Sequence, residues 1–184
     1  ALDNFSNNSL LTGSSYSYFN SKNTKALLAR VYLSKNDWQN AFITANDVIL
    51  NSGVSLVATE NYISQWEQTD LPISENLLEF TIPRDSGGEV GGSLSSFFGY
   101  FSNTNYNKYV ASQDLLGLYE STDIRKQLFL EKALPTLING VFVNVNYFFT
   151  KKLQDNPRYS YFRLSKLYLI RVKAALELRN LQFG

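Results

Sequence analysis

The 184-residue sequence contains no cysteine, no histidine and no methionine. Without thiols or imidazoles it can form no disulfide, offers no thiolate or imidazole base, and lacks the ligands of ordinary zinc sites. No apolar run approaches the length of a transmembrane helix, and no signal peptide opens the chain. Charge of either sign is modest. Lys and Arg number 17 against 16 Asp and Glu, giving net charge +1 and a pI near 8.1, so nothing electrostatic points to nucleic acid or to an acidic membrane surface. Proline and glycine are also few, at 4 and 10, yet four of the glycines crowd together at positions 87, 88, 91 and 92. The chain begins at Ala1 and holds no methionine, so it is expected to be a fragment or a processed form. Its length suffices for one good core, which favours a single compact unit over two domains. What is abundant is aromatic surface: 13 Phe, 12 Tyr and 2 Trp.

The strongest periodicity lies in residues 23–53. Trp38, Ala41, Phe42, Ala45, Val48 and Ile49 fall at i, i+3, i+4, i+7, i+10 and i+11, one face of a helix. Before them Leu28, Val31 and Tyr32 share a face, with Leu27 beside them, and Asn23 or Thr24 suits the N-cap. The polar turn formers Ser34-Lys35-Asn36-Asp37 separate the two, and so short a joint makes an antiparallel αα-hairpin. Ala29 and Ala41 let the helices approach, while Tyr32 and Trp38 fill the gap. Trp38 is read as a hairpin core residue whose loss in Trp38→Ala costs about 3–5 kcal/mol. Gly53 suits the left-handed position that follows a helix. The pattern resembles a tetratricopeptide repeat, with Ala29, Tyr32, Asn36-Asp37-Trp38 and Ala41 at its small, aromatic, turn and helix-B positions. Ala45 stands where that repeat has a late aromatic, and its terminal proline is absent.

Around this hairpin the signals alternate between helix and strand. Residues 1–22 are Ser- and Asn-rich and read as a loose lead-in. Tyr62, Ile63 and Trp66 suggest a short helix. Leu78, Phe80 and Ile82 alternate with Glu79 and Thr81, a half-buried strand that Pro83 ends. Residues 84–108 form a long Gly- and aromatic-rich loop. It is no phosphate loop, since no Gly-Lys-Ser/Thr follows. Ser112 caps a helix bearing Leu115, Leu116 and Tyr119, followed by a turn over residues 124–130. Asn139-Gly140, between Leu134–Ile138 and Val141–Phe149, is the commonest hairpin-turn pair. Leu164, Leu167, Tyr168, Ala175 and Leu178 mark a last helix, with Arg171 alone interrupting its face.

Five blocks in this order resemble the SusD/RagB family of outer-membrane glycan-binding lipoproteins of Bacteroidetes. They are Ala26–Leu33 with Asp37-Trp38, Glu75–Ile82, Leu118–Arg125, Thr150-Lys151 and Arg163–Ala174. The chain departs from the pattern at Lys166 and at Val172-Lys173, where the family usually carries acids. The resemblance implies a mainly α fold with a minor β component: one partial SusD-like domain over 1–184, its tetratricopeptide-like hairpin packed with further helices, plus a small hairpin sheet and long loops. It further implies a non-enzymatic surface protein, held at the outer membrane by an N-terminal lipid anchor absent from this chain. Such a protein captures oligosaccharide, or polysaccharide, for a SusC-type TonB-dependent transporter and uses no cofactor or metal.

Sugars offer apolar C–H faces to aromatic rings and hydroxyls to amides. Tyr62, Trp66, Phe97, Tyr100 and Tyr106 are therefore candidates for a stacking platform, with Asn103, Asn105 and Asn107 as polar partners. The same rings serve equally well as packing: Tyr62 and Trp66 beneath a loop, Phe97, Phe98 and Phe101 within it. Phe142, Tyr147 and Phe148 are assigned to sheet packing.

Two other classes compete. Glycoside hydrolysis needs two facing carboxylates, and Asp85 with Glu89 or Glu120 with Asp123 could pair, but both lie in turn-like sequence where solvated charge is the ordinary explanation. The alternative to glycan capture is a tetratricopeptide-type protein–protein scaffold, yet one hairpin is too little for a solenoid groove. A fragment of a larger helical array is also expected to expose an apolar face and to self-associate or be marginally stable. Far-ultraviolet circular dichroism separates the architectures: the SusD-like reading predicts a mixed helix and strand spectrum, and an almost strand-free spectrum would favour a plain solenoid.

Overall fold

The computed structural model describes residues 16–68, 72–81, 97–102, 105–106, 109–153 and 158–183. The elements are α1 (Ser21–Ser34), α2 (Trp38–Asn51), a 3-10 turn (Thr59–Asn61), α3 (Tyr62–Glu67), β1 (Asn76–Thr81), β2 (Tyr100–Ser102), β3 (Asn105–Tyr106) and α4 (Gln113–Gly117), followed by a 3-10 turn (Ile124–Leu128), β4 (Phe129–Ile138), β5 (Val141–Thr150), a 3-10 turn (Lys151–Leu153), β6 (Arg158–Arg163) and α5 (Leu164–Phe183). Helix outweighs strand, as a mainly α fold with a minor β component requires. Among the described residues the strands form three two-stranded antiparallel sheets, β1 with β6, β2 with β3, and β4 with β5. Where length alone suggests one compact unit, the packing groups the chain into two. One comprises residues 1–57, 73–81 and 158–184, the other residues 58–72 and 82–157.

In the first unit α1 starts earlier than expected. Its cap is Asn20, whose side chain accepts from the backbone N–H of Lys22 (3.0 Å) and Asn23 (3.2 Å). Asn23 is the third helical residue and closes a capping box by accepting from Asn20 N at 2.8 Å. Fully buried, Asn23 also donates to the carbonyls of Tyr18 (2.8 Å) and Leu77 (3.3 Å), which ties α1 to β1. The lead-in is correspondingly shorter, and the carbonyl of Tyr16 already accepts from Glu79 N at 2.8 Å. Residues 1–15 lie outside the described part.

The hairpin forms, with Ala29 and Ala41 sharing one core and Tyr32 packed against it as expected, but the rest of the α1 inner face differs. Ala26 and Ala29 of α1 meet Ala41, Ala45 and Val48 of α2 in the core, whereas Leu27 and Val31 reach the surface. Close backbone approach at the alanines selects this face and turns the larger aliphatic groups to its flanks. Trp38 is a second correction. It is half-buried at the mouth of α2, with the Lys173 ammonium 5.9 Å from its ring centroid, so it flanks the core. Asp37 caps α2 by accepting from Asn40 N at 3.3 Å, and Asn36 (φ 60°) and Gly53 (φ 70°) take the left-handed turns on either side.

Helix α5 completes this core with Leu164, Leu167, Ile170 and Ala174. Ile170 and Ala174 replace the expected Tyr168 and Ala175 on the inner face. Arg171 stays beside it by donating to Asn46 Oδ1 at 3.0 Å and lying 5.0 Å from the Tyr168 ring. Lys173, where the family pattern has an acid, pairs with Glu177 one turn on.

Strand β1 overturns the expected alternation. Leu77, Leu78 and Glu79 are all buried, and Phe80 faces out. Two register shifts against β6, between Asn76 and Glu79, rotate successive side chains off the simple two-residue period. The inward Glu79 carboxylate receives a hydrogen bond from Asn76 Nδ2. The partner strand β6 was not anticipated. Its end fixes the most constrained polar group in the unit: the Glu75 carboxylate, 4% exposed, accepts from Arg163 Nη1 (3.3 Å) and Ser165 Oγ (3.0 Å), and the Glu75 carbonyl accepts from Leu164 N (2.9 Å). The Glu75 and Arg163 sequence blocks meet here.

The second unit is built on the β4–β5 ribbon. Asn139 (φ 50°) and Gly140 (φ 81°) make the expected tight turn, but the first arm begins at Phe129, five residues ahead of its sequence signal. Leu134 and Phe149 are buried with Tyr100, Phe149 near the open end of the ribbon and Leu134 at its middle. Toward the turn Val141, Val143 and Phe142 are exposed, Phe142 at 72%, so Phe142 is not sheet packing. Ser112 caps α4 by accepting from Leu115 N at 3.1 Å. Of the expected 84–108 loop, the described part pairs locally as β2 and β3.

Urea unfolding should rank these interactions. Leu78→Ala, at a fully buried site, is expected to cost about 2–5 kcal/mol, Glu75→Ala about 1–3 kcal/mol through its orphaned donors, and Trp38→Ala only about 1–2 kcal/mol. A Trp38→Ala cost matching that of Leu78→Ala would return Trp38 to the core. Acid adds a further check. Lys25 Nζ donates to Asp47 Oδ2 at 2.6 Å and Asn51 Nδ2 to Asp47 Oδ1 at 2.7 Å, and these bonds hold the Asp47 carboxyl below its ordinary value. A carboxyl lowered in the folded state stabilises it above the unfolded aspartate pKa and loses that contribution as pH falls through the folded one. Both Lys25 and Asp47 side chains are 35% exposed, so the effect stays under about 1 kcal/mol. Asp47→Asn should lower stability slightly at neutral pH and match the parent chain near pH 2 (about two units below the unfolded aspartate value).

Candidate functional site

Two groups of aromatic side chains in the second unit bear on ligand binding. The first comes from α3, where the i, i+4 spacing places Tyr62 and Trp66 on one helix face. Their rings meet edge to face, centroids 6.4 Å apart and planes at 67°. Lys152, from the turn after β5, brings its ammonium 4.5 Å from the Trp66 ring and 6.0 Å from that of Tyr62. Beside it Lys151 pairs with Glu67 at 2.9 Å. Both rings are half-buried. A cation thus rests on the surface a sugar would use, and stacking there requires Lys152 to swing aside.

The second group is more open. Phe97 and Phe98 lie 6.4 Å and 5.6 Å from Tyr109, tilted at 48° and 40°. Phe97 is exposed, and Tyr109 is 57% exposed. The strand-like segment carrying Tyr109 is fastened to the ribbon by Ala111 N donating to Phe148 O at 2.8 Å. Tyr109 is absent from the sequence-predicted set because the aromatic loop was closed at residue 108. The Asn-Tyr-Asn-Lys-Tyr run from Asn105 to Tyr109 carried the signal.

The remaining predicted residues separate. Tyr100 is 9% exposed, 5.2 Å from the Phe149 ring, with Lys132 Nζ 5.2 Å from its own centroid, so it belongs to the interior. Asn105 and Tyr106 lie on β3, where Tyr106 pairs with Tyr100 and Asn105 with Ser102. Asn103 and Asn107 fall outside the described residues, as do Asp85 and Glu89. The structure brings Tyr62 to Trp66, places Phe97 beside the unpredicted Tyr109, and buries Tyr100.

Of the carboxylates weighed for catalysis, Asp123 is held in an ion pair. Asp123 accepts from Arg125 N at 3.0 Å and from its guanidinium at 2.5–3.1 Å; those bonds hold the Asp123 carboxyl low and push the Arg125 guanidinium up. A carboxylate so paired is a poor general acid. Among the described residues no group of three or more acidic side chains is arranged to hold a metal, and no helix is long and apolar enough to cross a membrane.

No protein-family model matches the sequence, and neither does any curated protein. Solved structures do match. A SusD superfamily protein from Bacteroides thetaiotaomicron VPI-5482 is similar at 29% identity and TM-score 0.68, over 88% of this chain and 38% of its own. A SusD-like carbohydrate binding protein from Bacteroides vulgatus ATCC 8482 shares the fold at TM-score 0.69 and 15% identity, over 97% of this chain and 37% of its own. A SusD superfamily protein from the same organism matches at TM-score 0.64 and 23% identity, over 92% and 38%. The chain therefore spans well under half the length of these relatives. With its five sequence blocks lying on α1, on β1, after α4, at the end of β5 and across the β6–α5 junction, the chain has a SusD-like fold.

Proposed function

We propose that this chain is part of a non-enzymatic, surface-exposed glycan-binding protein that captures oligosaccharide and passes it to a SusC-type TonB-dependent transporter, held at the outer membrane by a lipid anchor. The observation that carries the binding part is the open Phe97–Phe98–Tyr109 group. The exposed rings of Phe97 and Tyr109, tilted against each other, offer apolar faces that a pyranose C–H face can cover, and burial of aromatic area is the main source of such affinity. Tyr62 and Trp66, once Lys152 withdraws, extend the same chemistry. The similarity to a SusD-like carbohydrate binding protein supports this reading, while transporter delivery and anchoring rest on the family resemblance alone. A non-catalytic role agrees with Asp123 being a paired cap and Glu120 an exposed turn residue. The scaffold alternative is disfavoured because the β1–β6 and β4–β5 strand pairs have no place in a plain helical solenoid.

Isothermal titration against a panel of neutral plant, host and microbial oligosaccharides tests the reading. A Phe97→Ala, Tyr109→Ala variant should lose at least about tenfold in affinity, equivalent to roughly 1.4 kcal/mol, while keeping its unfolding midpoint. Unchanged affinity in the folded variant would move the site elsewhere, and no binding to any glycan would remove it from this chain.

A further inference from the structure

An open groove of about 280 Å³ runs along the outer side of α1, lined by Leu27, Arg30, Val31, Ser34, Lys35 and Tyr161. Leu27, Arg30, Val31 and Ser34 of α1 and its C-cap Lys35 fall at i, i+3, i+4, i+7 and i+8, a single stripe. Its sixth wall is an aromatic one. Tyr161 stands edge-on to Phe80, centroids 5.5 Å apart at 65°, and lies 6.1 Å from Tyr159, and all three rings are exposed. This is the outer face of β1–β6, where the register shifts have turned Phe80 to solvent.

The charge around the groove has one sign. Arg30 and Lys35 line it, and no carboxylate does. Nearby, desolvation together with the positive charges of Arg30 and Arg163 keeps the Lys166 ammonium below its ordinary pKa, which marks the cations as crowded. Among the described residues no acidic side chain pairs with Arg30, Lys35 or Lys166. Ser34 Oγ donates to Arg30 O at 3.0 Å, leaving its lone pairs to accept from a ligand hydroxyl.

We propose that this groove binds an acidic saccharide of the uronate class, its ring C–H face against Tyr161 and the aliphatic floor of Leu27 and Val31, its carboxylate met by Arg30 and Lys35. A bare phosphate leaves the aromatic wall uncovered, and an acidic peptide is the competing occupant that hexaglutamate tests below. The volume lies just under the range of about 300–1,000 Å³ usual for ligand pockets, which suits one sugar ring with the rest of a chain continuing into solvent. The groove shares no residue with the Phe97–Tyr109 group. It extends saccharide recognition to a second place without depending on the first.

The test is titration with trigalacturonate and, in parallel, neutral maltotriose. The parent chain should bind trigalacturonate, more weakly as ionic strength rises from about 0.05 to 0.5 M. The surface variant R30Q/K35Q should lose at least about tenfold and Tyr161→Leu several-fold, while Phe97→Ala, Tyr109→Ala should leave trigalacturonate binding unchanged. The proposal is overturned by absence of trigalacturonate binding, by indifference to R30Q/K35Q, or by loss in Phe97→Ala, Tyr109→Ala alone, which would assign the acidic sugar to the other aromatic group. It is equally overturned if hexaglutamate binds as tightly with the same dependence on R30Q/K35Q and none on Tyr161, the behaviour of a general polyanion surface.

Discussion

A carboxylate almost without access to water sets the geometry of the helical unit. Burying the Glu75 carboxylate is costly unless donors meet it. The donors come from residues 88 and 90 positions later, Arg163 and Ser165, at the junction where β6 ends and α5 begins. Satisfying the carboxylate therefore decides where the strand stops and which way the helix leaves. From that point Leu167, Ile170 and Ala174 fall onto Ala41, Ala45 and Val48, and the third helix closes the hairpin. Two further polar nodes work alongside it. Asn23 links the first turn of α1 to Leu77, and Asn76 turns Glu79 inward. The core is apolar in bulk, but its registry is fixed by amides and carboxylates, which tolerate few alternative pairings.

What could be read from the sequence divides along the range of the interactions. The α1–α2 hairpin, the Ser112 cap and the Asn139-Gly140 turn were legible because each depends on residues within a few positions of one another. The inner face of α1 was legible only in part. Ala29 and Tyr32 lie where close approach between the helices puts them, but periodicity also favoured Leu28 and Val31, whereas the partner helix selected Ala26. The same limit explains β1. Alternation put Phe80 inside and Glu79 outside, and only the distant strand β6, with its two register shifts, reverses them. The family blocks encoded this long-range pairing without revealing it, since the Glu of one block and the Arg of another carry no local sign that they touch.

The candidate site shows the limit at the level of single rings. Tyr100 and Tyr109 sit in the same aromatic, asparagine-rich stretch, and nothing local distinguishes them. One fills a gap against Phe149, and the other stands in solvent beside Phe97 and Phe98. Aromatic residues have enough apolar area to stabilise an interior and enough polar edge to sit at a surface, so composition alone assigns neither role. The i, i+4 pair Tyr62 and Trp66 was legible as a pair, but its covering cation arrives from Lys152, some ninety residues downstream in sequence. The outer rings of β1–β6 were invisible for the reason β6 itself was.

The β4–β5 ribbon has a consequence of its own. Phe149 with Tyr100 pins its open end and Leu134 its middle, while the ten paired positions run on to a turn flanked by exposed Leu137, Val141 and Phe142. A two-stranded ribbon has little to hold it in water beyond its own ladder. Its amides should therefore exchange with solvent deuterium in order, fastest beside Asn139 and slowest beside Phe149, as a zipper frays from its free end while the anchored end stays shut.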